Sequence, residues 1–249
     1  MGSIRLDLRQ CETVAISLPE DDERRQSVAE VCERLGLSWR LVDGVKCQPG
    51  WIGCGLSHMR ALRQSAAAAP LLILEDDVGV AEHYAPVIEA PADADAIYLG
   101  ASIFGAVDLI GYVGFTHMLL ADPVDDDFLR VYNLLGAHAI VYLTERFKQA
   151  TAECIAHTMI DLGQEHDKGM ARLQERFMVY ALRRPMFFQA ASLQKSTVGQ
   201  RQEDVTNVVL EPLMEGVTAN MGLGDTWRAA VIVREDGLLR WRWADGGES

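Results

Sequence analysis

Pro70-Leu71-Leu72-Ile73-Leu74-Glu75-Asp76-Asp77-Val78 is the stretch from which the fold is read. Consecutive aliphatic residues after a proline predict a buried strand, and three carboxylates at its end need a chemical reason. Side chains alternate along a strand, so Glu75 and Asp77 are expected on one side and Asp76 on the other. Two carboxylates converging at the carboxyl end of a strand make an oxygen cage suited to Mg2+ or Mn2+. A strand running into an acidic turn is the plainer alternative, and the stretch alone admits both.

The flanking segments alternate in character. Thr13-Val14-Ala15-Ile16-Ser17-Leu18 predicts a first strand, Pro19 a helix start, and about Glu20 to Leu35 a charged helix closed by Gly36. A strand over Ser38 to Val42, a loop through Asp43-Gly44 and a helix from about Gly53 to Ala68 lead back to Leu71. Further strands are expected at Ala96 to Leu99 and Ala139 to Leu143. The second leads into a helix that Thr144 would cap, with Glu145 in its first turn. This alternation predicts an α/β fold with a mainly parallel central sheet and a less regular C-terminal part, in one domain over residues 1–249. Gly100 to Asp127, with its acidic run Asp122 to Asp127, reads as an irregular excursion over a site. Near the end, Asp236-Gly237 signals a type I′ hairpin within about residues 228–244. Leu239, Trp241 and Trp243 fall on one face of it, and a packing hairpin is preferred to an aromatic sugar platform.

Composition narrows the function. At 249 residues, with 49% hydrophobic and 24% charged residues, the chain is long enough to bury a core without staples. The net charge of −13 argues against nucleic acid as a partner, since polyphosphate binding rests on Lys and Arg clusters. The cysteines at 11, 32, 47, 54 and 154 form no C-x-x-C pair, so neither a disulfide framework nor a zinc knuckle is indicated. Buried thiols in a reducing compartment are expected instead. No stretch reaches the length of a transmembrane span, and Met1-Gly2-Ser3-Ile4-Arg5 opens no secretory apolar core. A cytoplasmic location is expected, compatible with peripheral membrane contact.

Gly53-Cys54-Gly55-Leu56-Ser57-His58 adds a second signal. Ile52, Leu56, Met59, Leu62 and Ala66 share one helical stripe, which puts Ser57 opposite it and His58 on its flank, both able to face a cleft. A glycine-rich helix start offers N–H groups to an anion, and the hydroxyl and imidazole add donors for a diphosphate or a sugar. Adjacent helical residues diverge and no G-x-S-x-G elbow is present, so a serine hydrolase is rejected.

These blocks resemble glycosyltransferase family 25, which includes lipooligosaccharide and collagen galactosyltransferases. The resemblance is carried, in order, by Ile16-Ser17-Leu18 with Glu23-Arg24-Arg25, by Gly53 to His58, and by Leu72-Ile73-Leu74-Glu75-Asp76-Asp77-Val78. Looser matches are Ile97-Tyr98-Leu99-Gly100, Gly136-Ala137-His138-Ala139, Asp167, and Pro185 with Gln189 and Ser196. It spans roughly residues 13 to 198. Gly55 stands where the family has alanine, and Lys195-Ser196-Thr197 departs from the usual serine-aspartate-isoleucine.

The resemblance implies a GT-A-like nucleotide-sugar-binding sandwich and a metal-dependent inverting hexosyltransferase. It would take a nucleotide sugar, commonly a UDP-hexose, and act on a hydroxyl of a glycan, glycolipid or small molecule. Mn2+ or Mg2+ would be held by Glu75 and Asp77. Such an ion stabilises the charge that builds on the departing diphosphate. Inversion needs a base near the acceptor hydroxyl, for which Asp167 is the first candidate, with Asp161 and Glu165 as rivals. Asp76 is grouped with the catalytic residues, facing the other way, where it would hold the loop or the donor ribose. Ser17, Leu18, Arg25, Ser57, His58, Gly100, His138 and Gln189 are the expected substrate-binding residues. Arg24 is an alternative diphosphate contact, and a structural role for His138 is an equal reading. A non-catalytic nucleotide-sugar-binding or partner-binding protein on the same fold is the runner-up. A metal phosphohydrolase using the same carboxylates is disfavoured, because the sequence offers no second carboxylate and histidine cluster with two-metal character.

Overall fold

The computed structural model describes residues 2–66, 70–101, 104–109, 112–116, 119–190, 218–223, 226–235 and 238–243. The chain opens with β1 (Ser3–Asp7) and β2 (Glu12–Ser17), and α1 (Asp22–Leu35) carries it to β3 (Trp39–Asp43). The side chain of Asp21, not Pro19, starts α1 by accepting the Arg24 N–H, and Gly36 ends it at φ 65°, a left-handed conformation suited to glycine. From β3 the chain enters α2 (Gly50–Gln64), which begins earlier than Gly53 because Pro49 occupies its N-cap position. It then runs into β4 (Leu71–Glu75), β5 (Val78–Val80), β6 (Val87–Pro91) and β7 (Ala96–Tyr98).

The expected excursion folds in part into β8 (Gly105–Leu109), β9 (Tyr112–Thr116) and β10 (Ala121–Pro123). Next come β11 (Phe128–Val131), β12 (Ala139–Tyr142), α3 (Glu145–Ile160), α4 (His166–Leu173), β13 (Val179–Leu182) and β14 (Phe187–Gln189). At the C-terminal end, β15 (Thr218–Leu223), β16 (Thr226–Glu235) and β17 (Leu238–Trp243) form a three-stranded antiparallel sheet. The strands of the expected hairpin are therefore found, paired Glu235 to Leu238, while the turn residues Asp236 and Gly237 lie outside the described residues. Among the described residues no helix is long and apolar enough to cross a membrane.

The centre of the molecule is an eight-stranded sheet in the order β10-β11-β13-β7-β12-β4-β2-β3. It is mixed rather than mainly parallel. The pairings β2–β3, β2–β4 and β7–β13 are parallel, whereas β4–β12, β12–β7, β13–β11 and β11–β10 are antiparallel. A strand buried on both faces carries the same aliphatic run whichever way it points, so direction was not encoded in those runs.

Alternation along the strands sorts two cores. Leu71 and Ile73 of β4 join Val14 and Ile16 of β2 on the face covered by α2, α3 and α4, where Leu62, Phe147, Ile155 and Met170 pack. Leu72 and Leu74 join Ala15 on the opposite face, with Val28, Val31 and Cys32 of α1 and Leu6 and Ile88 of the β1–β6 pair. All four β4 aliphatics are fully buried, each contributing about 2 kcal/mol by area. The helix after β12 starts where expected, but Thr144 does not cap it with its side chain. Its hydroxyl instead donates to buried Asp95 at 2.6 Å, which also takes two bonds from Arg146 and one from the Met178 N–H. One carboxylate thus ties the starts of α3, β7 and β13.

This topology fixes where a ligand can sit. From β2 the chain passes over one face through α1 to β3, then returns over the other face through α2 to β4, on the far side of β2. The carboxyl ends of β2 and β4 therefore lie at a point where the winding reverses and leaves a crevice.

Candidate active site

A cavity of about 350 Å³ occupies that crevice. Its lining includes Ser17 and Leu18 from the end of β2, Glu75, Asp76 and Asp77, residues 44–48 after β3, the first half of α2, the start of α4, and Gln189.

The acidic triplet divides differently from an ideal strand. Because β4 stops at Glu75 and Asp76-Asp77 form the turn into β5, alternation ends one residue before it would carry Asp77 to the side of Glu75. Glu75, in phase with Leu71 and Ile73, points to the α2 face, where its Oε1 lies 2.9 Å from Nε2 of His58. Asp76 and Asp77 both turn to the α1 side, and Arg24 spans them at 3.0 Å and 2.7 Å. The expected pairing of Glu75 with Asp77 is thus replaced by a pairing of Asp76 with Asp77.

Arg24, not Arg25, is the guanidinium at the site. Arg25 pairs at the surface with Asp43, 2.9 Å away. The distinction was present in the sequence, since Arg24 precedes Val31 by seven residues and so falls on the buried stripe of α1.

Burial governs the carboxyls. It raises Asp77 to about 7, helped by the nearby Glu75 and opposed by Arg24. Asp76 is also raised by burial, against the pull of the Ser17 hydroxyl and Arg24. Burial would likewise raise Glu75, but the His58 bond and the neighbouring His138 and His166 outweigh it and hold this carboxyl low. One Oδ1 atom of Asp77 is buried with no hydrogen-bond partner among the described residues.

On the other wall, Asp167 stands in the first turn of α4 with its Oδ2 accepting the Gly136 N–H at 3.3 Å. Burial raises its carboxyl above the usual range. Its rivals separate by position. Glu165 lines the cavity and pairs with Lys168 at 2.8 Å, whereas exposed Asp161 pairs with His157 and takes no part in the lining.

Several expected substrate contacts have other work. The Ser57 hydroxyl lines the cavity, yet it donates to the Gly53 carbonyl at 2.6 Å and accepts the Val45 N–H at 2.8 Å. It laces the loop after β3 to α2. His138 and Gly100 do not line the cavity. They pack together behind it, where a Cβ at Gly100 would collide with the His138 ring. His138 is buried, and burial lowers its pKa. Ser17, Leu18, His58 and Gln189 do line the cavity. Ser196 and the Lys195-Ser196-Thr197 segment lie outside the described residues.

The sequence did not single out Cys54, His166, Lys46 or Trp51, which also line the cavity. The His58 and His166 rings stack with centroids 4.9 Å apart. Burial lowers His166 to about 3, with the adjacent His58 adding to the effect. At Gly55, where the resemblance has alanine, a Cβ would meet the end of the Met159 side chain of α3 and come within 3.0 Å of the His166 Cβ.

No family model and no curated protein matches this chain.

Proposed function

We propose that the chain is a glycosyltransferase of GT-A type that moves a hexose from a nucleoside-diphosphate sugar, a UDP-hexose first among the candidates, to a hydroxyl acceptor with inversion. The observation that carries this reading is one crevice with two opposed walls: Arg24 on Asp76 and Asp77 on one side, and Asp167 held by the Gly136 N–H on the other. The acceptor would be a glycan, a glycolipid or a small molecule.

The donor diphosphate fits the wall that carries Arg24, with Lys46 at the rim. Arg24 is already engaged with two carboxylates, so a divalent cation is needed if phosphates are to enter without repulsion. The residues suit Mn2+ or Mg2+: Asp77 has an unpartnered buried oxygen, and Asp76 lies beside it on the same guanidinium. Such a cation neutralises charge on the leaving diphosphate. Glu75, expected as its second ligand, faces His58 instead.

On the opposite wall Asp167 receives the acceptor proton. As the acceptor oxygen bonds to the anomeric carbon, the bond from that carbon to the diphosphate oxygen breaks, and the hydroxyl proton passes to Asp167. A raised carboxyl is a stronger base than a solvated one, which suits that task. The Gly136 N–H fixes the orientation of its carboxylate.

Titration calorimetry with UDP-, GDP-, CMP- and dTDP-sugars, with and without Mn2+, tests this. One donor class should bind, more tightly with Mn2+ than without, and Asp77→Asn should abolish the metal dependence. Absence of binding across the panel, or binding indifferent to the metal, would overturn it.

A further inference from the structure

Cys54 and His58 on α2, Glu75 at the end of β4 and His166 at the start of α4 each bring one donor atom within 4.8 Å of the others. Glu75 Oε1 lies 2.9 Å from His58 Nε2 and 3.9 Å from Cys54 Sγ. Donor atoms around a tetrahedral zinc-sized ion are separated by about 3.3–3.8 Å, given bond lengths of about 2.0–2.3 Å, so small side-chain adjustments would close the shell. His166 is only 6% exposed, yet neither of its ring nitrogens has a hydrogen-bond partner among the described residues. Nδ1 of His58, 1% exposed, is in the same condition. Buried polar atoms are nearly always paired, so an imidazole with both nitrogens unpaired at this depth points to a ligand for them.

We propose that these four side chains bind a borderline divalent transition metal of the zinc class, at a site separate from the Asp76–Asp77–Arg24 wall. Two imidazoles and a thiol select against Mg2+ and Ca2+, which take oxygen donors. Coordination expels the Cys54 thiol proton to solvent and leaves a thiolate–metal bond. With four protein donors the shell is closed, which is the mark of a structural ion rather than one that activates water. Its effect would be mechanical. It pins α4 to α2 and β4 in the wall of the cavity, and so sets the position of Asp167, the residue after His166. The inference rests on these donors alone and not on the glycosyltransferase reading.

The test uses the full chain stripped with a chelator and titrated with Co2+ and then Zn2+, with no nucleotide sugar present. Expected are the visible bands of four-coordinate cobalt saturating at one Co2+ per chain, a thiolate-to-cobalt charge-transfer band in the near ultraviolet, and loss of both on displacement by Zn2+; six-coordinate Co2+ at the carboxylate wall adds only weak absorption. Cys54→Ser should remove the charge-transfer band and His166→Gln should weaken Zn2+ binding by about tenfold or more, whereas Asp161→Asn, exposed and outside the cavity lining, should leave both unchanged. If the wild-type chain shows only the weak spectrum of six-coordinate cobalt, or if Cys54→Ser and His166→Gln bind as the wild type does, the proposal fails. The wild-type spectrum decides the matter even where a variant does not fold.

Discussion

Asp77 carries the cost of the crevice. Its carboxyl is raised from 3.8 to about 7 by burial and by Glu75, despite the Arg24 contact. Between those values the folded state keeps a proton that the unfolded chain gives up, so stability falls as pH rises through the window. Asp77→Asn removes the burden. In chelator-containing buffer at pH 8 it should stabilise the fold by about 1–3 kcal/mol, a rise of several degrees in Tm, with no gain at pH 4. Thermal melts at the two pH values check this, and an equal effect at both would contradict it. At this scale the triplet was legible as a cluster but not in its division. Strand alternation predicts Asp76 apart from Asp77, and the chain leaves the strand just before that rule would place Asp77. Arg24 was readable from the phase of α1, while the use of the Ser57 hydroxyl as a lace depended on a loop whose path no local pattern encodes.

At the scale of elements, the contact of α2 with the loop after β3 shapes the rim of the cavity. Gly53 allows it, because a Cβ there would collide with the Val45 carbonyl oxygen, a backbone atom that cannot swing aside. Gly53→Ala should therefore lower stability by about 1–3 kcal/mol in urea unfolding and weaken donor binding together with it. Unchanged stability would show that the loop yields freely. The elements nearest the site were the most readable: β2, α1, β3, α2 and β4 follow from aliphatic runs, helical stripes and the Gly36 stop. Strand direction further along was not readable. β12 carries the same kind of aliphatic run as β4 but lies antiparallel to it, and that return brings Gly136, just before β12, to the carboxyl end of β4.

For the molecule as a whole, the crevice exists because α1 and α2 cover opposite faces of one sheet between β2, β3 and β4. The expected α/β class follows from the same alternation of elements, and so does the place of the crevice. The cluster of Cys54, His58, Glu75 and His166 could not follow from it, because α4 reaches the crevice only through tertiary packing and His166 lies far along the chain from its partners. The chemistry assigned to the crevice is tested most directly by proton NMR of the chain incubated with Mn2+ and an α-linked UDP-hexose, water standing in for the acceptor. Slow release of UDP is expected, with free hexose that appears first as the β-anomer, both lost in Asp167→Asn. Liberation of hexose phosphate or inorganic phosphate, or an intact donor across the whole panel of nucleotide sugars, would contradict it.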